Sequence, residues 1–456
     1  MIDFTLKQVI DAVEATGYQH IDMNKQIDGV TIDSRNVDPN NLFVPLIGAR
    51  VNGHDFVINT LQKGAIASFW QEDQPNPPQK TPLIFVKDCL VALQKLAKAY
   101  RDTLDATFIG ITGSSGKTST KDIVASVCAV GYETQKTFGN RNNEVGLPLT
   151  VLSVRRSTQV AVIEMGISDF KEMRMLTEIV QPHIAIITSI SESHIDNFKT
   201  MEHIVEEKYR ITECLQEKGI LLYNADTPML HDYAQKHPLT QKVFAYGQDK
   251  SYQAVITSHR IATGGLYFTT NVFEGREFYL PMLGVHQIYN AMSAILSALA
   301  LGLDADEIQE GFNHIDLTGK RNEVKKIREC VIIDDTYNAN PSSMVASLDT
   351  LSNYPLVVKK IAVLGDMFGL GEQSAMLHEK IGQDYHFKNI NELWVVGDYT
   401  MLLADALERR GLPIVIRRFA DKEELYRALK KQTESLCLIL VKASRGMLLD
   451  ELITKL

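Results

Sequence analysis

The sequence predicts an α/β protein of three units. Three observations carry that expectation. The chain has 456 residues, about three domains at the usual domain length. From about residue 105 to 314, apolar runs of strand length alternate with helix-period segments, the pattern of a parallel sheet covered by helices. After about residue 315 the alternation resumes in a Rossmann-like form, but without the G-x-G-x-x-G fingerprint, so no dinucleotide is implied. The expected units are residues 1–100, 101–314 and 315–456.

Composition removes several function classes. Apolar residues make up 45% and charged residues 23%, ordinary for a globular chain. A formal net charge of −9 argues against sequence-independent binding to nucleic acid. No stretch approaches the roughly 20 apolar residues of a membrane span. The start, Met1-Ile2-Asp3-Phe4, lacks the pattern of a signal peptide. Cys89, Cys128, Cys214, Cys330 and Cys437 are scattered, with no C-x-x-C pair. They read as reduced, mostly buried residues of a cytoplasmic protein.

In the first unit, Thr5 to Ala15 has helical spacing. Val30 to Arg35 and Leu42 to Leu46 read as short strands, broken by Asp38-Pro39-Asn40-Asn41. Asp33-Ser34-Arg35 and the cluster from Gly48 to His54, including Gly53, are polar loops that read equally well as solvated turns. Gln71 to Pro82 reads as an exposed loop, Leu83 to Val86 as a strand and Leu90 to Tyr100 as a helix.

The second unit carries the clearest chemistry. Thr107 to Ile111 reads as a buried strand and Lys121 to Val130 as a helix. Between them stands Gly113-Ser114-Ser115-Gly116-Lys117-Thr118-Ser119. Strand, glycine loop, Lys-Thr and helix make a phosphate cradle, with backbone N–H groups and the helix dipole facing the phosphates. In such a cradle the lysine reaches the β- and γ-phosphates and the hydroxyl ligates Mg²⁺. Only two residues separate the glycines, so the loop is shorter than the common four-residue form.

Ligands in parallel sheets sit beyond the carboxyl ends of the strands, which directs attention to the loops there. Thr137 to Pro148 is rich in amides, including Asn140, Asn142 and Asn143, neutral donors and acceptors for substrate oxygens. Glu164 ends the strand Val160 to Glu164, where a carboxylate suits Mg²⁺; an exposed strand-end glutamate is the plainer alternative. His194 follows the strand His183 to Ser189, as a ligand or a structural histidine. Lys208, on the predicted helix Met201 to Cys214, reads as a solvated charge. The stretch from about 243 to 283 reads as a small antiparallel meander, and His286 to Leu301 as a helix.

In the third unit, Val331 to Asp334, Lys360 to Leu364, Glu392 to Val396 and Cys437 to Val441 read as buried strands. Asp334 to Pro341 directly follows the first of them. Arg321, near the junction, is either a linker charge or a clamp on a γ-phosphate.

Taken together these motifs resemble the Mur ligases, the ATP-dependent amide ligases of peptidoglycan synthesis. The short Gly113-Ser-Ser-Gly-Lys-Thr-Ser-Thr-Lys121 loop fits that family. Gly139-Asn-Arg-Asn-Asn143, Tyr337-Asn-Ala-Asn-Pro341, Leu364-Gly-Asp-Met367 and Leu370-Gly-Glu372 resemble its MurF type. Lys442-Ala-Ser-Arg445 is a near match to the family's Lys-Gly-Ser-Arg. Asp33-Ser-Arg35 and Gly53-His54-Asp55-Phe56 resemble its UDP-sugar domain. The resemblance implies three domains: a small α/β UDP-sugar domain, a central P-loop-type parallel-sheet ATPase domain with a small antiparallel sheet, and a C-terminal Rossmann-like domain. It implies addition of D-Ala-D-Ala to UDP-MurNAc-tripeptide through an acyl phosphate, by a cytoplasmic monomer.

The resemblance also implies roles for residues. Gly113, Ser114, Ser115, Gly116, Lys117, Thr118 and Ser119 would hold ATP phosphates, with Arg321 on the γ-phosphate. Asn290, Asp335 and Tyr337 would hold adenosine. Thr118 and Glu164 would bind one Mg²⁺, and His194 a second, shared with a carbamylated Lys208. Ser34, Arg35, Gly53, His54, Asn140, Asn142 and Asn143 would face the UDP-tripeptide. Asn338, Asn340, Asp366, Ser444 and Arg445 would face the dipeptide. The chain departs from the family pattern at Lys171, where a glycine is usual. It departs again at Ser189-Ile190-Ser191-Glu192-Ser193, usually Asn-Ile-Gly before Ala-His, and at Arg210, where an acidic residue is common. The alternatives are another ligase of this type, such as folylpolyglutamate synthetase, or a nucleotide-binding paralogue without ligase chemistry.

Overall fold

A computed structural model describes residues 1–319, 323–355 and 358–456. Arg321 lies outside the described residues. The described strands form three sheets of five, nine and six strands.

The first sheet runs in the spatial order Gly17–Gln19, Leu83–Val86, Ala67–Gln71, Asn41–Phe43, Gly29–Thr31. Only the Gly17–Gln19 edge is antiparallel. The helix Leu6–Val13 starts at a capping box in which Thr5 and Gln8 satisfy each other's backbone, a common way to close a helix start. The strand Ala67–Gln71 is not anticipated by the sequence. Its Ser68 is buried and donates to its neighbour's carbonyl, which breaks the apolar run.

The nine-stranded sheet holds six parallel strands in the order Thr134–Lys136, Val160–Glu164, Thr107–Thr112, Ile184–Ile187, Ile220–Asn224, Lys242–Gly247. Strands buried on both faces read as unbroken apolar runs. Accordingly Ile109, Ile111, Val160 and Val162 pack with Ile123, Val127 and Ile288 on one face. Phe108, Ala161, Ile163 and Ala185 pack on the other.

The expected meander is part of this same sheet. Ala254–Ala262 begins parallel to Lys242–Gly247, then, past a register shift between Ile256 and Ser258, runs antiparallel to Gly265–Thr270, which pairs with Glu277–Leu280. Lys242–Gly247 thus belongs to the parallel part, and the antiparallel strands extend the sheet instead of standing apart.

The third sheet has the order Glu323–Ile327, Cys330–Asp335, Cys437–Lys442, Lys359–Gly365, Glu392–Val396, Val415–Phe419. All are parallel except the first. The sequence shows the four central strands but neither edge. Both edges are charged and largely exposed, as edge strands tend to be, and so lack the buried-strand signature.

The two seams between these bodies differ. The helix Cys89–Arg101 packs on Gly146–Leu152 and Glu172–Val180, and one apolar cluster runs from Phe4 and Leu42 through Leu96 to Phe108 and Ala185. Arg101 closes this seam: Nε donates to Val180 O at 2.8 Å, Nη2 to Gln181 O at 3.0 Å, and the guanidinium lies 4.1 Å from the Phe108 ring centre. At the seam to the third sheet Leu283 joins the apolar cluster of Ile333, Met344, Leu348 and Leu351, Ile195–Phe198 meets Gly371–Gln373, and polar contacts follow at the site below.

Lys171, where the family pattern has a glycine, precedes the helix Glu172–Val180 with φ +68°. A left-handed backbone costs an L-residue about 1–2 kcal/mol. Lys171→Gly therefore raises stability by about 0.5–1 kcal/mol, after glycine's greater unfolded freedom is subtracted. This corresponds to a thermal midpoint about 1–3 °C higher; an unchanged or lower midpoint shows that the position carries no strain. Arg101→Ala leaves the buried Val180 carbonyl without its side-chain donor, weakens the bonding of the half-buried Gln181 carbonyl and removes the guanidinium from the Phe108 ring. It lowers the stability of the first two units by about 2–3 kcal/mol, measured as an earlier first transition in urea.

Candidate active site

The phosphate loop joins the strand Thr107–Thr112 to the helix Lys117–Cys128. Its two glycines are demanded by contact as well as by turn geometry. A Cβ on Gly113, at φ +147°, would lie 2.0 Å from Thr188 Oγ1, and one on Gly116, at φ +84°, 2.9 Å from Asn290 Oδ1. Gly116 caps the helix without a side-chain hydrogen bond. The first N–H groups of the helix therefore have no intrahelical partner and form an anion cradle. Lys117 Nζ arches back over the loop, donating to the carbonyls of Gly113 at 2.7 Å and Ser114 at 3.3 Å.

The loop is seated on the segment 188–191. Ser114 N donates to Ser189 O at 2.8 Å and Ser115 N to Ser189 Oγ at 3.1 Å. Ser114 Oγ donates to Ser191 O at 3.0 Å and accepts from Ser191 N at 2.9 Å. Thr188 Oγ1 donates to Ser115 O at 2.6 Å. Thus Ser114 and Ser115 spend their amides on the protein, and the phosphate-facing amides are those of the helix start. Thr188, Ser189 and Ser191 escaped the sequence reading; their signal was the serine at every second position.

The Thr118 hydroxyl donates to Glu164 Oε2 at 2.8 Å, and Asn142 Nδ2 donates to Glu164 Oε1 at 2.7 Å. Thr137 Oγ1 accepts from Glu164 N at 2.9 Å. Glu164 is buried and therefore not the exposed strand end that composition allowed. A hydroxyl beside a fixed carboxylate is a hard-oxygen donor set suited to Mg²⁺. Among the described residues no group of three or more His, Cys, Asp or Glu side chains could hold a metal. Mg²⁺ at this pair would complete its shell with phosphate oxygens and water.

His194 sits at φ +61° before the short helix Ile195–Phe198. Burial, with the nearby Lys208 and Lys117 ammonium groups, pushes its imidazole down to about 4, so it is a neutral donor at neutral pH. Lys208 is buried, not solvated. Burial, then the Lys117 charge, holds its amine well below the usual lysine range, against the opposing pull of Glu172 and Glu207. Arg210 turns to Glu206, Glu207 and Glu213 and so lies outside this pair's hydrogen bonding.

Asn340 bridges to the third unit. Its Nδ2 donates to Ser115 Oγ at 2.9 Å and Ser193 Oγ at 2.6 Å, while its Oδ1 accepts from Ser343 N at 2.8 Å. It therefore caps the helix Pro341–Asn353 and touches the phosphate loop. Asp335 accepts from Lys442 Nζ at 2.5 Å and Ser347 Oγ at 2.6 Å, and Lys442 also donates to Asn338 O at 3.0 Å. The Tyr337 ring lies over Gly319, 3.3 Å from where a Cβ would stand. The side chain of Arg445 is 57% exposed although it pairs with Asp450, and it is the cation of this group open to a carboxylate.

Several of the expected ligands also have partners within the protein. Asn290 accepts from Thr120 Oγ1 at 3.0 Å and donates to Gln287 Oε1 at 2.8 Å, bracing the loop beneath Gly116. Asp366 accepts from the N–H groups of Asp398, Tyr399 and Thr400, so its carboxylate caps the helix Asp398–Arg409. Ser444 ties Phe368 N to Ala339 O. His378, unmarked in the sequence, accepts from Met367 N at 2.9 Å and fixes the same loop. His54 has both ring nitrogens engaged, with Asn52 at 2.8 Å and Gln71 N at 3.2 Å, and Gly53 is packed on the Leu46 backbone. Asn143 caps Gly146 N. Ser34, Arg35 and Asn140 lie on loops, with Arg35 exposed and paired bidentately with Asp33.

Comparison with known proteins agrees with this layout. The Mur ligase catalytic-domain family matches residues 26–101, the Mur ligase middle domain 111–298, and the Mur ligase glutamate ligase domain 320–445. A UDP-N-acetylmuramoyl-tripeptide–D-alanyl-D-alanine ligase of Bacillus subtilis is 36% identical over 457 aligned residues, covering 100% of this chain and 99% of that protein. A crystal structure of MurF from Acinetobacter baumannii superposes with a TM-score of 0.90 at 25% identity, covering 99% and 98% of the two chains. MurF from Thermotoga maritima, solved in complex with ADP, gives a TM-score of 0.80 at 26% identity over 94% and 98%. With three matched domains and a relative this similar end to end, the chain belongs to the Mur ligase family.

Proposed function

We propose that this enzyme joins D-alanyl-D-alanine to UDP-N-acetylmuramoyl-tripeptide using ATP, forming the pentapeptide precursor of peptidoglycan. The observation that carries this reading is the phosphate loop with its Thr118–Glu164 pair, met across the seam by Asn340 of the Tyr337-Asn-Ala-Asn-Pro341 loop. The printed names of the Bacillus and Acinetobacter relatives support the same substrates. The three units are assigned as residues 1–100 for the UDP-sugar, 101–314 for ATP and 315–456 for the dipeptide. The reaction belongs in the cytoplasm, where ATP is available. We take the enzyme to act as a monomer, as the family resemblance implies. Among the described residues no helix is long and apolar enough to cross a membrane.

The chemistry needs no protein nucleophile. The terminal carboxylate of the tripeptide attacks the γ-phosphorus, the bond to the β-phosphate oxygen breaks, and ADP leaves an acyl phosphate. The dipeptide amine then attacks the acyl carbon, phosphate departs and the amine loses a proton. The first step brings two anions together, and its barrier is chiefly electrostatic. Lys117 and the helix-start amides are assigned to the phosphates, with Arg321 on the γ-phosphate. Arg445 is assigned to the dipeptide carboxylate and Asn338 to its neighbourhood. Asn340 holds the third unit against the loop, while Asp366 and Ser444 position the loops around it. Asn290, Asp335 and Tyr337 border the nucleoside end.

Thr118 and Glu164 would hold one Mg²⁺. His194 and a carbamylated Lys208 would hold a second. Bound there, the ions neutralise charge on the reacting oxygens. A lysine amine is no Mg²⁺ ligand, but its depressed proton affinity suits reaction with carbon dioxide. The amine nitrogen bonds the carbon, one proton leaves, and an anionic carbamate oxygen ligand results. The altered residues around this site favour no second reading: Ser189 and Ser191 seat the loop, and Ser193 receives Asn340.

Phosphate release tests the function. It requires ATP, the UDP-tripeptide and a D-Ala-D-Ala-type dipeptide together; release independent of the two peptide substrates refutes the assignment. Carbamylation is tested separately. After equilibration with ¹³C-bicarbonate, the wild type shows a carbamate resonance that Lys208→Ala lacks. The variant loses activity, which short-chain carboxylic acids partly restore. A wild-type protein without the resonance overturns the modification.

A further inference from the structure

The helix that begins with the phosphate-loop residues continues with two buried charges. Lys121 lies one turn after Lys117 and Asp122 one turn after Thr118, and residues four apart share a helix face. Both Lys121 and Asp122 are 0% exposed. Asp122 Oδ2 accepts from Thr318 N at 2.7 Å, and Oδ1 accepts from Thr318 Oγ1 at 2.9 Å. The same carboxylate lies 2.9 Å from Lys136 Nζ and 3.2 Å from Lys121 Nζ. Lys121 Nζ donates to Thr318 Oγ1 and Thr137 O, each at 3.0 Å. Thr137 in turn accepts from Glu164 N. Asp316 N is held by Ser126 Oγ at 3.1 Å.

Burying a carboxylate among ammonium groups costs several kcal/mol per ion in desolvation, and apolar residues of similar size often stabilise as well or better. The best-attested return for such groups is one specified arrangement. Here that arrangement joins three things: the helix that starts at Lys117 and Thr118, the Thr137 link to Glu164, and the chain just before it enters the third unit. Gly319 follows at φ +79°, under the Tyr337 ring.

We propose that Asp122 is a positioning residue for the ligase reaction, holding Thr318 so that the third unit departs at Gly319 in fixed register with the phosphate loop. The turning point between the units then begins at Gly319, because Asp316 and Thr318 are bonded to the central helix. The consequence for turnover rests on the ligase reading above; the consequence for unit geometry does not.

The test uses the full chain with Thr318→Val, which keeps the backbone N–H but removes Oγ1, with Thr318→Ser as the conservative control. Asp122→Asn follows the same direction, and Thr318→Val keeps the test open should that variant fail to fold. ADP affinity with Mg²⁺ is measured by calorimetry. The distance between spin labels on the central and third units is measured by pulsed resonance. In Thr318→Val, ADP affinity stays within about twofold, the distance distribution broadens, and kcat falls at least about tenfold, the scale of a small misplacement. Thr318→Ser restores the narrow distance distribution and kcat. An unchanged distance distribution overturns the proposal. So does an ADP affinity that falls in step with kcat, which would place the network in the nucleotide site itself. If the wild type fails to turn over, the ligase reading fails, and the distance distributions alone still decide for or against the positioning role.

Discussion

A phosphate loop with two residues between its glycines is too short to hold its own shape. It borrows that shape from the end of the next strand. Gly113 runs so close to Thr188 that no side chain fits between them, and Ser114 and Ser115 bond to Ser189 and Ser191. Strand order makes this inevitable: Thr107–Thr112 and Ile184–Ile187 are neighbours in the sheet, so their following loops meet. His194 lies a few residues along the same segment. The groups that shape the phosphate cradle and the histidine proposed for a metal are thus positioned by one stretch of chain.

The electrostatics follow from burial. Lys117, Lys208 and His194 crowd one pocket, and three full positive charges there would repel one another. Burial lowers the proton affinity of His194 and of Lys208, while Lys117 stays engaged with two carbonyls. A neutral imidazole is the form that ligates metal, and a lowered proton affinity favours the amine form of Lys208 that takes up carbon dioxide.

Much of this was legible in the sequence because parallel central strands are apolar on both faces: the limits of Val160–Glu164, Leu83–Val86 and Glu392–Val396 can be read directly. The edge strands Glu323–Ile327 and Val415–Phe419 carry charge toward solvent and imitate loops. Motif spacing found Lys117, Thr118 and Glu164, since their chemistry depends on local order. It could not show which neighbours those residues hold. Asp366, Ser444, Asn290 and His54 are plain polar residues in one dimension, and only packing reveals the hydrogen bonds they make within the protein. Periodicity alone makes Lys208 a solvated charge, against its burial, because a charged residue on a helix carries no mark of burial.

The unequal seams have a consequence for how substrate choice is distributed. The first two units share one apolar cluster, clamped by Arg101. Separating them would expose a continuous apolar surface, so the units proposed for the sugar and the nucleotide stay together. The join to the third unit combines the hydrogen bonds of Asn340 with Leu283, which belongs to the third unit's apolar cluster, and with the close approach of Gly371 to Asp196 and of Gly284 to Thr350. On the proposed assignment that unit sets which amine is accepted, and a graft at Gly319 would have to carry over the contacts of Asn340, Leu283 and Gly371 for the donor half to keep its partner surface.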